Sequence, residues 1–118
     1  MRALVADDAA IVRLVVGTLL ASCGCEVVAE AGTGREAVEA WEAHRPDVTL
    51  LDLNMPDGDG VSAAVAIRAL DPGAAIILAS VFVADGRLRT LGGLTGVQVL
   101  EKPLAAETIR AALGRLAA

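Results

Sequence analysis

Short unbroken apolar runs alternate along this chain with stretches in which apolar residues recur every three or four positions, the patterns of buried strand and amphipathic helix. Arg2–Ala6 predicts a first strand, stopped by Asp7 and Asp8. Ile11, Val12, Val15, Val16, Leu19 and Leu20 then recur at helical spacing until Gly24, with Asp8 placed to cap that helix. Cys25–Glu30 predicts a second strand. Thr33-Gly34-Arg35-Glu36 has the form of a capping box, opening a helix that turns Val38 and Trp41 inward and ends at Arg45-Pro46. Val48–Leu51 is a continuous apolar strand of the kind covered on both faces. A third helix from about Val61 to Leu70 stops at Asp71-Pro72-Gly73, and Ala75–Ala79 predicts a fourth strand ending at Ser80. A fourth helix is expected around Asp85–Leu91. It should be short or mobile, since Gly92, Gly93 and Gly96 each disfavour helix by about 1 kcal/mol relative to Ala. Val97–Leu100 predicts the fifth strand, and Ile109, Leu113 and Leu116 give the last helix its inward stripe.

Five strands alternating with five helices predict an α/β fold, a doubly wound parallel sheet with right-handed crossovers. Open sheets of this kind bind ligands outside the carboxyl ends of their strands. Those ends carry Asp7 and Asp8, Asp52, Ser80 and Lys102, which a strand order of 2-1-3-4-5 gathers on one edge around Asp52.

The 118 residues form one domain, 1–118, long enough to bury roughly two-thirds of its extended surface without staples. With one Trp, one Phe and no Tyr, stacking on nucleic-acid bases is not expected. A net charge of −5 without a Lys/Arg cluster likewise argues against direct nucleic-acid binding and favours divalent cations or basic protein surfaces. Cys23 and Cys25 are too close for an ordinary disulfide and have no His/Cys set for zinc, which predicts reduced thiols in a cytoplasmic protein. No signal peptide or membrane span is read. The lone His44 reads as a surface residue, and Trp41 as core.

The chemistry concentrates in LLDLNMPDGDG, Leu50 to Gly60, where an apolar strand ends in Asp52 and a Pro/Gly/Asp loop follows. Three clustered carboxylates repel one another unless a cation lies among them. Oxygen ligands with room for water suit Mg²⁺. Lys102, the chain's only lysine, and the Ser80 hydroxyl supply positive charge and a hydrogen bond to an oxyanion. Asp52 is placed as the nucleophile toward phosphorus. A calcium loop is excluded, because Pro56 holds a ligand position, Asp57 stands where Gly is needed and Ala63 occupies the final Glu place.

With VADDAAIVR, LLDLNMPDGDG, ILAS and LEKP in this order, the chain resembles the receiver domain of bacterial two-component response regulators, in particular CheY-like single-domain regulators. The resemblance implies a flavodoxin-like fold and phosphoryl transfer from a histidine kinase's phosphohistidine to Asp52. It implies Mg²⁺ held directly by Asp8 and Asp52, by Asp7 through water, and by the backbone carbonyl of Asn54. It further implies that Lys102 grips the phosphoryl oxygen and that Lys102-Pro103 is a cis peptide. The implied output is a protein partner, bound on the face of helix 4, strand 5 and helix 5, most simply in chemotaxis-type signalling and from a monomer or a dimer. The implied partner upstream is a sensor histidine kinase or a phosphotransfer protein. No DNA-binding domain is read after Ala118.

Departures from the family pattern are Ser80 for the commoner Thr, Val81 for a smaller residue, Val99 for an aromatic switch residue, and the charged Glu101. Val81 is expected to narrow access to Asp52, and Phe82 is a candidate substitute for the missing aromatic. Alternatives are a phosphorelay intermediate, the receiver of a larger transcriptional regulator, and a receiver fold that no longer accepts phosphate. A different class, a small Mg²⁺-dependent phosphatase with an aspartyl nucleophile, lacks its second acid, because Asn54 stands two residues after Asp52. The chain is therefore expected to signal rather than to turn over external substrates.

Overall fold

The computed structural model describes residues 1–81 and 85–117. Strands β1 (Arg2–Ala6), β2 (Glu26–Ala31), β3 (Val48–Asp52), β4 (Ile76–Ser80) and β5 (Gln98–Glu101) form one parallel sheet in the order β2-β1-β3-β4-β5. Helices α1 (Ala10–Ser22), α2 (Gly34–His44), α3 (Gly60–Leu70) and α4 (Ala106–Ala117) cover it.

The central strands β3 and β4 are buried at every residue, as their continuous apolar runs require. Alternation along β1 divides the core between the two faces. Leu4 and Ala6 pack with Leu51, Ile76, Trp41 and Ile67, whereas Ala3 and Val5 pack with Val16, Leu20, Leu50, Ile77 and Ile109. Trp41 is a core residue, and the guanidinium of Arg45 lies 4.3 Å from its ring centroid. His44 is exposed, and both cysteines are free thiols, with Cys25 buried.

Two expectations change. The expected fourth helix is a 3-10 helix over Gly86–Gly93 rather than an α-helix, so α4 is the fourth and last α-helix among the described residues. Gly86, Gly92 and Gly93 lower the helical propensity of a segment that is too short to recover it by cooperativity. Asp8 does not cap α1. The N-cap is Ala9 and has no side-chain cap; Asp7 instead accepts the Ala9 backbone N–H at 2.9 Å through Oδ1. The apolar stripe of α1 is only partly inward: Val16 and Leu20 are buried, but Ile11 and Val15 are 67% and 52% exposed.

The capping box forms in modified shape. Thr33 Oγ1 accepts the Glu36 N–H at 3.0 Å, while the Glu36 carboxylate reaches back to Gly32 N at 3.2 Å. Among the described residues no helix is long and apolar enough to cross a membrane. Phe82, the candidate aromatic substitute, lies outside the described residues.

Candidate functional site

The parallel register places four strand ends side by side. Ala6 is level with Leu51, Asp52 with Ala79, and Ser80 with Glu101. Asp7 therefore follows β1, Asp52 closes β3, Ser80 closes β4 and Lys102 follows β5, all on one edge. The 2-1-3-4-5 order brings together residues up to 95 positions apart.

Lys102 binds the acidic group into one unit. Its Nζ donates to Asp52 Oδ1 at 2.8 Å and to Asp7 Oδ2 at 3.0 Å. Asp7 and Asp52 are buried and Asp8 is exposed, and each of the three offers a carboxylate oxygen within 4.8 Å of the others. Burial pushes the Asp52 pKa above the ordinary carboxylate value; Lys102 opposes this, and the Asp7 and Asp8 charges add to it. Burial disfavours the Lys102 charge, but its hydrogen bonds to Asp52 and Asp7 outweigh that and hold its pKa above the usual lysine value. Hard oxygen donors, without nitrogen or sulfur and open to water on the Asp8 side, fit Mg²⁺ rather than zinc.

The loop after Asp52 is fastened at both ends. Leu53 is fully buried; its N–H donates to the Ala79 carbonyl and its own carbonyl accepts from Gly60 N, both at 2.9 Å. At the tip, Asp57 and Gly58 adopt positive φ of 50° and 96°. The first amides of α2 hold that tip, with Arg35 N donating to the Asp57 carbonyl at 3.0 Å. Gly34 is required there, because a Cβ on it would overlap the Gly58 carbonyl oxygen. Gly60 is required beneath the site, because a Cβ on it would overlap the Asp52 carbonyl oxygen.

Ser80 is buried at the end of β4, and its carbonyl accepts the Lys102 N–H at 2.8 Å. Lys102-Pro103 is cis. Asn54 is exposed, and its side-chain Oδ1 accepts from Arg87 Nη2 at 2.6 Å. Val81 is 65% exposed and lines an apolar cleft with Ile11, Val15, Pro103 and Leu104 beside Lys102. Val99 stands 36% exposed on β5, and Glu101 is exposed on the same edge strand, where its charge is solvated.

Two supporting residues hold the site from outside. Arg13 donates through Nη1 to the Asp7 carbonyl at 2.6 Å and pairs with Glu30 at 3.0 Å, pinning the turn that presents the acids. Arg87 binds Asp85 and Asn54 and lies 3.7 Å from Asp59. Arg13, five residues after the acid pair, closes the VADDAAIVR motif. Arg87 carries no such signal, because Asn54 and Asp59, the partners it reaches outside its own segment, lie in a loop about 30 residues earlier.

The family model for the response regulator receiver domain matches residues 3–114. The chain belongs to that family. The receiver is 43% identical over 79 residues to the chemotaxis protein CheY of Bacillus subtilis, a match covering 67% of this chain and 66% of that protein, just under two-thirds of its length. It is 32% identical to the chemotaxis protein CheY of Listeria monocytogenes over 99% of this chain and 98% of that one. Among solved structures it superposes with a TM-score of 0.86 and 26% identity on the receiver domain of the sensor histidine kinase PA1611 of Pseudomonas aeruginosa. That match covers 99% of this chain and 98% of the other, in which a magnesium ion is coordinated in the active site cleft. The receiver is thus a two-component signalling domain with an acidic cluster at the carboxyl edge of its sheet.

Proposed function

We propose that this receiver is a phosphoacceptor: Asp52 takes a phosphoryl group from the phosphohistidine of a sensor histidine kinase or phosphotransfer protein, in a step that requires Mg²⁺. The observation that carries this reading is the Lys102 ammonium bridging Asp52 and Asp7 at 2.8 and 3.0 Å. A lysine fixed by one acid stays at the site while it donates to oxygens arriving at the other. In the step, a carboxylate oxygen of Asp52 attacks phosphorus and a P–O bond forms. The P–N bond breaks with its electron pair going to the imidazole, giving an acyl phosphate.

Asp7, Asp8, Asp52 and the Asn54 backbone carbonyl are the proposed ligands of Mg²⁺. Bound there, the ion supplies charge neutralisation between the carboxylates and the phosphoryl oxygens. Lys102 and the Ser80 hydroxyl are assigned to the phosphoryl oxygens on the other side. The acid cluster supports this metal assignment, as does the magnesium-bearing structure of similar fold.

The output is proposed to be a protein contact on the face formed by the 3-10 segment, β5 and α4, in chemotaxis-type signalling. The similarity to chemotaxis proteins of Bacillus subtilis and Listeria monocytogenes supports that context.

The deciding experiment is intact-protein mass after incubation with acetyl phosphate and Mg²⁺, comparing the native chain with Asp52→Asn. One added phosphoryl group that needs both Mg²⁺ and Asp52 is the expected result. No adduct, together with no binding of beryllofluoride, assigns the chain instead to receivers that work without phosphate and makes Val81 and Val99 the residues to revert.

A further inference from the structure

The end of the sheet opposite Asp52 carries a cleft of about 480 Å³ between the end of α3, the turn at Thr95 and Gly96, the start of β5 and α4. Its walls include Arg68, Arg115, Thr95, Gln98, Pro72 and Leu116. Arg68 is only 9% exposed, and a buried charge is costly unless paired. Its Nε donates to the Ala74 carbonyl at 2.6 Å. Among the described residues Arg68 has no ion pair.

Arg115 is held in the same manner. Its Nε donates to Gln98 Oε1 at 2.6 Å, and Gln98 is itself oriented by donating Nε2 to the Ala112 carbonyl at 2.8 Å. Each guanidinium is thus fixed through Nε, which leaves its terminal Nη groups to a ligand. Arg68 Nη2 faces the turn that walls the cleft, since a Cβ on Gly96 would lie 3.6 Å from it. Planar guanidinium forks match the oxygens of carboxylates and phosphates, and two around one cavity make an oxyanion seat. Pro72 and Leu116 supply apolar wall for the body of a small ligand, and the volume lies in the range of small-molecule sites.

We propose that this cleft binds a small oxyanionic molecule, its carboxylate or phosphate held between Arg68 and Arg115 and its apolar part lying against Leu116 and Pro72. Gln98 and Arg115 belong to β5 and α4, so a ligand there touches the proposed output face from the end remote from Asp52. The site is independent of the phosphoacceptor reading.

The test is a ¹H–¹⁵N titration of the full chain in Mg²⁺-free buffer with inorganic phosphate and, separately, phenyl phosphate. The side-chain Nε–H signals of Arg68 and Arg115 and the amides of Thr95, Gly96 and Gln98 are followed. Saturable shifts confined to that group are expected, with phenyl phosphate binding more tightly than inorganic phosphate. Arg115→Gln changes an exposed residue, leaves the rest of the spectrum in place, and should weaken binding about tenfold, the change expected for losing a charge-assisted contact. Arg68→Lys, which keeps the charge and loses the fork, should weaken it as well. Absence of saturable shifts, or shifts that Arg115→Gln leaves unchanged, overturns the proposal. So does equal binding of the two phosphates, for the apolar wall.

Discussion

Arg87 donates through Nη2 to Asn54 Oδ1 at 2.6 Å, tying the 3-10 segment to the loop that leaves Asp52. The same guanidinium holds Asp85 at 2.8 Å, and Asp85 caps the segment by accepting the Arg87 N–H at 2.9 Å. The chain has no Tyr and carries Val99 on β5, so this polar link is a direct side-chain connection between the acceptor loop and the proposed output face.

Removing the link should change the site more than the fold. Arg87→Ala loses exposed ion pairs and should leave the unfolding midpoint nearly unchanged. Asn54 is a proposed Mg²⁺ ligand through its carbonyl, so Mg²⁺ affinity should fall about threefold to tenfold, toward the lower range for outer partners of metal ligands. Calorimetric titration of Arg87→Ala, Asn54→Ala and the double variant checks this. The double variant should be little worse than either single one, and wild-type affinity in Arg87→Ala leaves the link without a role at the site.

Gly60 supports Asp52 by lacking a side chain. Gly60→Ala would drive a Cβ into the Asp52 carbonyl oxygen and to 2.8 Å from Leu78 Cδ2. Overpacking of this kind costs about 1–3 kcal/mol, and the displaced Asp52 should accept phosphoryl more slowly. Gly114→Ala meets nothing within 4 Å and should be neutral or stabilising by up to about 1 kcal/mol. Urea unfolding of the two variants, with the rate of acetyl phosphate loading, separates the effects.

The acid cluster should make stability depend on pH in a definite direction. The folded-state pKa of Asp52 is raised, chiefly by burial, so its stabilising contribution is present below the ordinary carboxylate value and is lost as pH rises through the folded value. Without Mg²⁺, Asp52→Asn should therefore be more stable than the native chain at neutral pH. The difference should shrink toward pH 4. Thermal unfolding across that range reads it, and Mg²⁺ should narrow the gap by stabilising the native chain.

Asp85 behaves in the opposite sense. Its hydrogen bonds from Arg87 hold its pKa at about 2, below the ordinary carboxylate range. The contact is present above the unfolded value and is lost only as pH falls through about 2. The Asp85 carboxyl carbon and Arg87 Nε–H signals should titrate together at that pH. In Arg87→Ala the Asp85 titration should return toward the ordinary value.

The alternation of apolar runs was sufficient for the strands, whose observed limits differ from the expected ones by a residue at most ends. β3 needs no partner to be recognised, because three apolar residues and a β-branched threonine bounded by turn formers have little other use. The Gly86–Gly93 segment was less legible. Its glycines showed that an α-helix was weak there, but not that the chain would close into 3-10 turns anchored by Arg87. The sequence offers Asp8 as the cap, because spacing alone cannot tell which of two adjacent acids turns toward the start of the helix. Asp7 takes the Ala9 N–H, and Asp8 remains exposed beside the cluster.

Local pattern and motif order were enough for the α/β alternation, for the strand ends that carry Asp7, Asp8, Asp52, Ser80 and Lys102, and for the family. The distances and the partners arise from packing alone: Lys102 between Asp52 and Asp7, Arg87 on Asn54, Gly60 beneath the Asp52 carbonyl, and Arg68 and Arg115 lining one cleft. Hydrophobic periodicity is a property of neighbours along the chain, whereas a hydrogen bond or a steric overlap between residues tens of positions apart exists only once packing has fixed where each backbone lies.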